Sequence, residues 1–247
     1  MLSAEVAAAV AGDFATLALL HDAELTPAIV AGLRDVGFPA NLALVPSGEL
    51  ALGSCEMIRS ALVAAPNEAG AAWYDECAAD YAAIYLTGAF GVAPSESFWL
   101  TDDHLVCQQP MFDLRALYAA DGLVAPDWRR RPDDHLVHEL QYIAHRLGRS
   151  SSDEDWRRLG EFLDYHLLRW LPDFSARIAD RCGTLFYAAL AMMTQGWARQ
   201  LRELIAAHLG EPVPTAEEIS TRLDSRRVAD VPEFPVRFLP GATGPSW

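Results

Sequence analysis

Lysine is absent from this chain. All 19 basic residues are arginine, and beside so much alanine this reads as genomic base composition rather than as chemistry. Cysteine is scarce: Cys55, Cys77, Cys107 and Cys182 lie far apart and form no C-x-x-C pair, so neither a zinc site nor a disulfide framework is signalled and a reducing cytoplasm fits. Long apolar runs are missing too. The most apolar later stretch, residues 185–193, falls far short of the ~20 residues that span a bilayer. Residues 1–20 are apolar but carry Glu5 and Asp13 and have no basic region ahead of the hydrophobic part, so they do not read as a signal peptide. A soluble protein without membrane insertion is expected. The net charge of −15 argues against nucleic acid or an anionic membrane surface as partner and favours something basic, such as a basic peptide. No alternation of period two is sustained long enough to build a sheet, and there is no internal repeat. No G-x-S-x-G elbow, P-loop or G-x-G-x-x-G fingerprint occurs, so the residues argue for no catalysis and imply no cofactor.

What is present is apolar residue at helical spacing, 51% of 247 positions being hydrophobic, enough for a sizeable core. Residues 4–20 read as a first helix. Thr26 before Pro27 marks the N-terminus of a second, which stops near Gly37 and Pro39. Residues 47–64 give a third. From 67 to 88, Trp73, Cys77, Tyr81, Ile84, Tyr85 and Leu86 recur at three- and four-residue spacing and predict a long amphipathic helix. Residues 88–103 have the glycine and proline of an ordered loop, yet Phe90, Phe98, Trp99 and Leu100 must cover something. Helices follow over 111–120, over a segment from Asp153 that Pro172 should break or kink, over 184–209 and over 217–227. The expected fold is all-α, a compact bundle of about ten helices. Residues 1–227 are expected to form one domain, 121–132 being where two packed halves would join, and 228–247 an irregular Pro- and Gly-rich tail.

Residues 132–143, P-D-D-H-L-V-H-E-L-Q-Y-I, organise the rest. Asp133 and Asp134 suit the cap of a helix, where a carboxylate accepts from free backbone N–H groups at the positive end of the dipole. Leu136, Leu140, Ile143 and Leu147 make one apolar stripe, which leaves His135, His138, Glu139, Tyr142 and Arg146 on other faces. A capped surface helix is the plain reading of those residues. A helical metal-dependent hydrolase using His135, His138 and a distant acid is the alternative from another class, although no paired Glu-x-x-His motif supports it.

Three stretches then resemble a known family. They are D-Y-A-A-I-Y-L-T-G at 80–88, P-S-E-S-F-W-L at 94–100 and D-H-L-V-H-E-L-Q-Y at 134–142, and their order and spacing are similar to the signatures of the TorD/DmsD family. Y-H-L-L-R-W-L-P-D-F at 165–174 and L-F-Y at 185–187 agree with it as well, so the resemblance covers about 73–204. It implies an all-helical cytoplasmic redox-enzyme maturation chaperone that binds the twin-arginine signal peptide, the apo catalytic subunit of a molybdopterin oxidoreductase, or both, and delays export until the cofactor is loaded. A NarJ-like assembly factor for a membrane-anchored molybdoenzyme is the close alternative. The peptide-binding positions carried over are Tyr81, Tyr85, Pro94, Ser97, Trp99, Asp134 and His135. Glu96 joins them as an acid in the same loop. Gly88-Ala89 stands where many members have Gly-Pro, and Ser95 where many have an aromatic residue.

The demands of such a ligand fit this composition. Two adjacent arginines call for carboxylates, offered by Asp80, Glu96, Asp102, Asp103, Asp133 and Asp134, and an apolar segment calls for an aromatic groove, offered by Tyr81, Tyr85, Phe98 and Trp99. Taken singly, each of those aromatics is as much a core residue as a groove wall, and each acid as much a solvated or capping group.

Overall fold

Several helix starts follow capping chemistry. The structure is a computed structural model and describes residues 2–229. Helix α1 (Ala4–Asp22) begins behind Ser3, whose hydroxyl accepts from the Val6 N–H. Helix α2 (Pro27–Asp35) begins behind Thr26, with proline at the first helical position. Next come α3 (Gly48–Ala64), α4 (Ala72–Tyr81), α5 (Glu96–Leu100), α6 (Gln109–Ala120) and α7 (Leu136–Leu147). Helix α8 (Asp153–Phe162) opens with a capping box between Ser152 and Asp155. The order closes with α9 (Leu168–Arg181), α10 (Leu185–Leu209) and α11 (Ala216–Ala229). Helix α10 stops where Gly210 turns left-handed, at φ 67°. The chain divides after Val213 into two units, and α11 belongs to the second. The described residues contain no strand, so the fold is the all-α one that the periodicity implies. The tail expected from 228 onward lies, beyond 229, outside the described residues.

Three details differ from the sequence expectation. The long helix expected from 67 starts only at Ala72, and its last stretch, Ala82–Leu86, is a π turn. The loop 88–103 contains α5. Pro172 neither breaks nor ends its helix but lies inside α9, directly after a second π turn at Leu163–Leu167. A proline ring collides with the carbonyl four residues back in a regular α ladder, and here that carbonyl, at Leu168, belongs to the residue where the ladder leaves the wider turn.

Helix α10 is the axis of the core. Its Phe186, Tyr187, Trp197, Leu201 and Ile205 are buried, and it packs on α3 and α9 while α1 packs on α7. A Cβ added at Gly196 of α10 would lie 3.3 Å from both Cα and Cβ of Ala51, so the absence of a side chain sets the approach of α10 to α3. The stripe Leu136, Leu140, Ile143 and Leu147 is buried as expected, each such side chain contributing ~1.5–3 kcal/mol. Helix α1 is long and apolar enough to cross a membrane by length and composition, and here its Phe14 and Leu17 belong to the core.

Candidate functional site

Two distant stretches are stitched together through their main chains. The Leu136 N–H donates to Pro94 O at 2.8 Å and the Glu96 N–H to Asp134 O at 2.9 Å, an antiparallel bridge centred on Ser95 and His135. Asp134, buried, adds its carboxylate: Oδ2 accepts from the Ser97 N–H at 2.7 Å. Asp134 therefore caps the start of α5. The cap of α7 is instead His135, whose Nδ1 accepts from the Val137 N–H at 3.1 Å, which corrects the acidic cap expected there. Asp133 is drawn away as well, into a two-pronged pair with Arg115 at 2.8 and 3.2 Å.

Behind the bridge lie more acids. Glu96 meets His166 Nδ1 at 3.0 Å, and burial raises its pKa, with the histidine opposing. Glu139 is buried, not on an open face as its spacing suggested, and neither carboxyl oxygen meets a hydrogen-bond partner among the described residues. Burial, then the nearby Glu96 and Asp134, push it well above the ordinary carboxylate range, which favours the protonated form. The Trp170 indole N–H opposes that shift without closing a hydrogen bond.

In front of the bridge opens a cavity of about 610 Å³. Its apolar wall is built by Tyr81, Ile84, Tyr85 and Leu86, from α4 and its π turn, with Val92 and Pro94 from the loop. The Tyr81 and Tyr85 rings stand 4.8 Å apart and turn their hydroxyls inward. Tyr81 donates to Asp22 O at 2.9 Å, and Tyr85 donates to His21 Nδ1 at 2.5 Å. His21 Nε2–H donates in turn to Thr194 Oγ1 at 2.8 Å, and Thr194 donates to Leu190 O. A chain ending on a carbonyl, which can only accept, fixes this tautomer. Burial pushes the His21 pKa down to about 3, so the ring is neutral.

His135 and His138 also line the cavity. His138 Nδ1–H donates to Pro132 O at 2.9 Å, and burial lowers both pKa values, His135 the more strongly. The Cys107 thiol, also in the wall, is raised by burial and supplies no ready thiolate. Among the described residues no three of His, Cys, Asp and Glu gather so as to hold a metal ion, so the hydrolase alternative finds no third ligand beside His135 and His138.

A further wall is made by residues 126–132 of the crossover 123–132 between α6 and α7, which presents Asp127, Arg129, Arg130 and Arg131. Trp128 ties it down between the guanidinium groups of Arg115 and Arg129, 5.1 and 4.9 Å from the ring centre. Arg131 forms an ion pair with Asp22. Beyond the crossover lies a second cavity of about 260 Å³, lined by Tyr118, Leu123, Val124 and Tyr142, and Pro126 and His138 face both.

Of the eight residues singled out from sequence, Tyr81, Tyr85, Pro94 and His135 line the larger cavity. Glu96, Ser97, Trp99 and Asp134 do not line it. Trp99 is half-buried, its Nε1–H donates to Ala93 O at 2.8 Å, and its ring meets Phe174 edge-on. Of the remaining acids, Asp80 accepts from the Gly183 and Thr184 N–H groups at the start of α10, whereas Asp102 and Asp103 are exposed. His21, Asp22 and the arginines of the crossover escaped the sequence reading. The available signal was three consecutive arginines in so acidic a chain.

The model of a family described as nitrate reductase delta subunit matches residues 49–176, which take in both sides of the bridge and the whole crossover. Among similar proteins, the chaperone protein TorD of Vibrio parahaemolyticus is 26% identical over 126 residues, 48% of this chain and 59% of that one. The chaperone protein TorD of Vibrio vulnificus is 32% identical over 113 residues, 42% and 53% of the two chains. That of Shewanella amazonensis is 31% identical over 138 residues, 53% and 57%. The matched part spans less than two thirds of each relative's length.

Proposed function

This chain belongs to the nitrate reductase delta subunit family, alongside chaperones of the TorD kind, and from that premise we propose that it is a cytoplasmic maturation chaperone for a molybdopterin oxidoreductase. It binds the client's N-terminal twin-arginine peptide, the apo catalytic subunit, or both, and turns nothing over. The observation that carries this is convergence: Tyr81, Tyr85, Pro94 and His135, scattered over 55 positions of the sequence, meet at one cavity. These four touch the peptide, while Glu96, Ser97, Trp99 and Asp134 hold the loop that presents Pro94 and join it to His135. The cavity gathers phenols, neutral histidines and arginines but sets no nucleophile beside a base, which suits capture rather than reaction. The net charge of −15 draws a basic peptide from a distance.

A second reading is favoured by the family's own description: an assembly factor serving a membrane-anchored enzyme through a leader without a working arginine pair. Titration with a synthetic peptide bearing two adjacent arginines before an apolar segment, and with one lacking the pair, separates the two readings. The first expects the arginine pair to matter and Tyr85→Ala to weaken binding. If neither peptide binds and no molybdoenzyme co-purifies from the native host, both readings fall.

A further inference from the structure

A site for an arginine-bearing peptide should offer carboxylates, yet Asp80, Glu96, Asp133 and Asp134 all hold internal partners, and the crossover brings arginines into the cavity instead. Two acids are placed differently: Asp127 lines the cavity but is carried by the crossover itself, whereas Asp22 faces the crossover from α1. Asp22 is the last residue of α1, next to the cavity residue His21, and its carbonyl oxygen accepts from Tyr81 of the apolar wall. Its carboxylate faces Arg131 of the crossover. We propose that Asp22 is the arginine acceptor of the peptide site and that residues 123–132 are an internal stand-in for the client peptide, Arg131 occupying Asp22 until a client arginine displaces it. The proposal rests on the peptide-binding reading above.

Exposure separates this pair from its neighbours. The acids of the Arg115–Asp133 and Arg202–Asp164 pairs are only 4% and 5% exposed, so each of those carboxylates depends on its guanidinium. Arg131 and Asp22 are 34% and 35% exposed, which leaves both partners hydrated and their pairing weak enough to exchange. The exchange is like for like. A client guanidinium replaces an internal one on the same carboxylate with the same fork of donors, so the charge on Asp22 stays compensated throughout.

The crossover is also built to move. It has no helix or strand, and the Arg130 and Arg131 N–H groups donate to Asp127 O within the segment itself, so lifting it breaks no ladder and gives up the Arg131–Asp22 pair, the Trp128–Arg115 contact, the Leu123 N–H bond to Tyr118 O and the bonds that Pro132 O accepts from His135 and His138. Displacement joins the two cavities it now separates, the polar one beside Asp22 and the apolar one lined by Leu123, Val124 and Tyr142. A ligand with arginines at one end and an apolar run at the other matches that sequence of surfaces.

The test is calorimetric titration of the full chain, as wild type, Arg131→Gln, Asp22→Asn and the double variant, with a twin-arginine peptide and its twin-lysine counterpart. Arg131→Gln should bind the twin-arginine peptide up to about fivefold tighter, the range set by an exposed ion pair. Asp22→Asn should bind it more weakly and lose the preference for arginine over lysine. In the Asp22→Asn background, Arg131→Gln should add nothing. Arg131→Lys, which keeps the charge but not the fork, should fall between wild type and Arg131→Gln, and it decides the matter if the glutamine variant melts early. A wild type that binds, with both Arg131 variants unchanged or weaker, overturns the stand-in and leaves peptide binding standing. An unaltered Asp22→Asn overturns the acceptor. If no variant binds either peptide, the peptide-binding reading falls and takes the proposal with it.

Discussion

A buried carboxylate that accepts a backbone N–H matters to the fold before it can matter to a ligand, and Asp134 is in that position. Asp134→Ala strands the Ser97 N–H and should cost ~1–3 kcal/mol in a denaturant titration, while Asp134→Asn, which keeps an acceptor, should cost under about 1 kcal/mol. Glu139 behaves in the opposite way. Its carboxyl is kept neutral by burial, so the folded protein holds a proton that the unfolded chain releases in the ordinary carboxylate range. Its contribution to stability is complete below that range and is lost as pH rises toward the raised folded value. Glu139→Gln should therefore melt close to wild type in mild acid and increasingly above it as pH rises. A constant gap between the two melting curves would mean that Glu139 does not carry the proton.

At the scale of elements, α10 and α3 approach closely at Gly196 and Ala51. Gly196→Val forces two helix backbones apart and should cost ~1–3 kcal/mol in chemical denaturation, overpacking outweighing the gain from removing a helical glycine. The helices themselves were legible because their signals are local: Thr26 and Pro27 start α2, Asp153 opens α8, and Leu136, Leu140, Ile143 and Leu147 mark the buried face of α7. The two π turns were not. A helix that widens for one turn shifts its apolar register by a single residue, an offset lost in the three- and four-residue spacing of the neighbouring turns, so nothing at Ala82–Leu86 or Leu163–Leu167 announced them, and Pro172 read as a break or kink. The cap of α7 was misread for a related reason. Asp133 and Asp134 have good capping chemistry, but their partners, Arg115 and Ser97, arrive from other parts of the chain, and local reasoning cannot see them. The same blindness split the candidate site: the motifs put eight residues forward together, while only the fold separates the four that line the cavity from the four that do not.

For the whole molecule, three neutral histidines set the acid limit. His21, His135 and His138 all have pKa values lowered by burial, so the unfolded chain gains protons on them that the folded one refuses. Their stabilising contribution is intact above the ordinary histidine value of 6.5 and fades as pH falls toward the folded values, about 3 for His21. Thermal melting should drop between pH 7 and pH 5, and more shallowly for His21→Gln. The bridge at Ser95 and His135 has its own consequence when viewed in time. Amide hydrogens in loops usually exchange with solvent within the shortest openings, but those of Glu96, Ser97 and Leu136 are bonded across the bridge and should exchange only with sub-global or global unfolding. The amides of Arg130 and Arg131, bonded only within their own segment, should exchange orders of magnitude sooner. Deuterium would then enter one wall of the cavity long before the other, marking the side from which a partner can come and go while the fold stays closed.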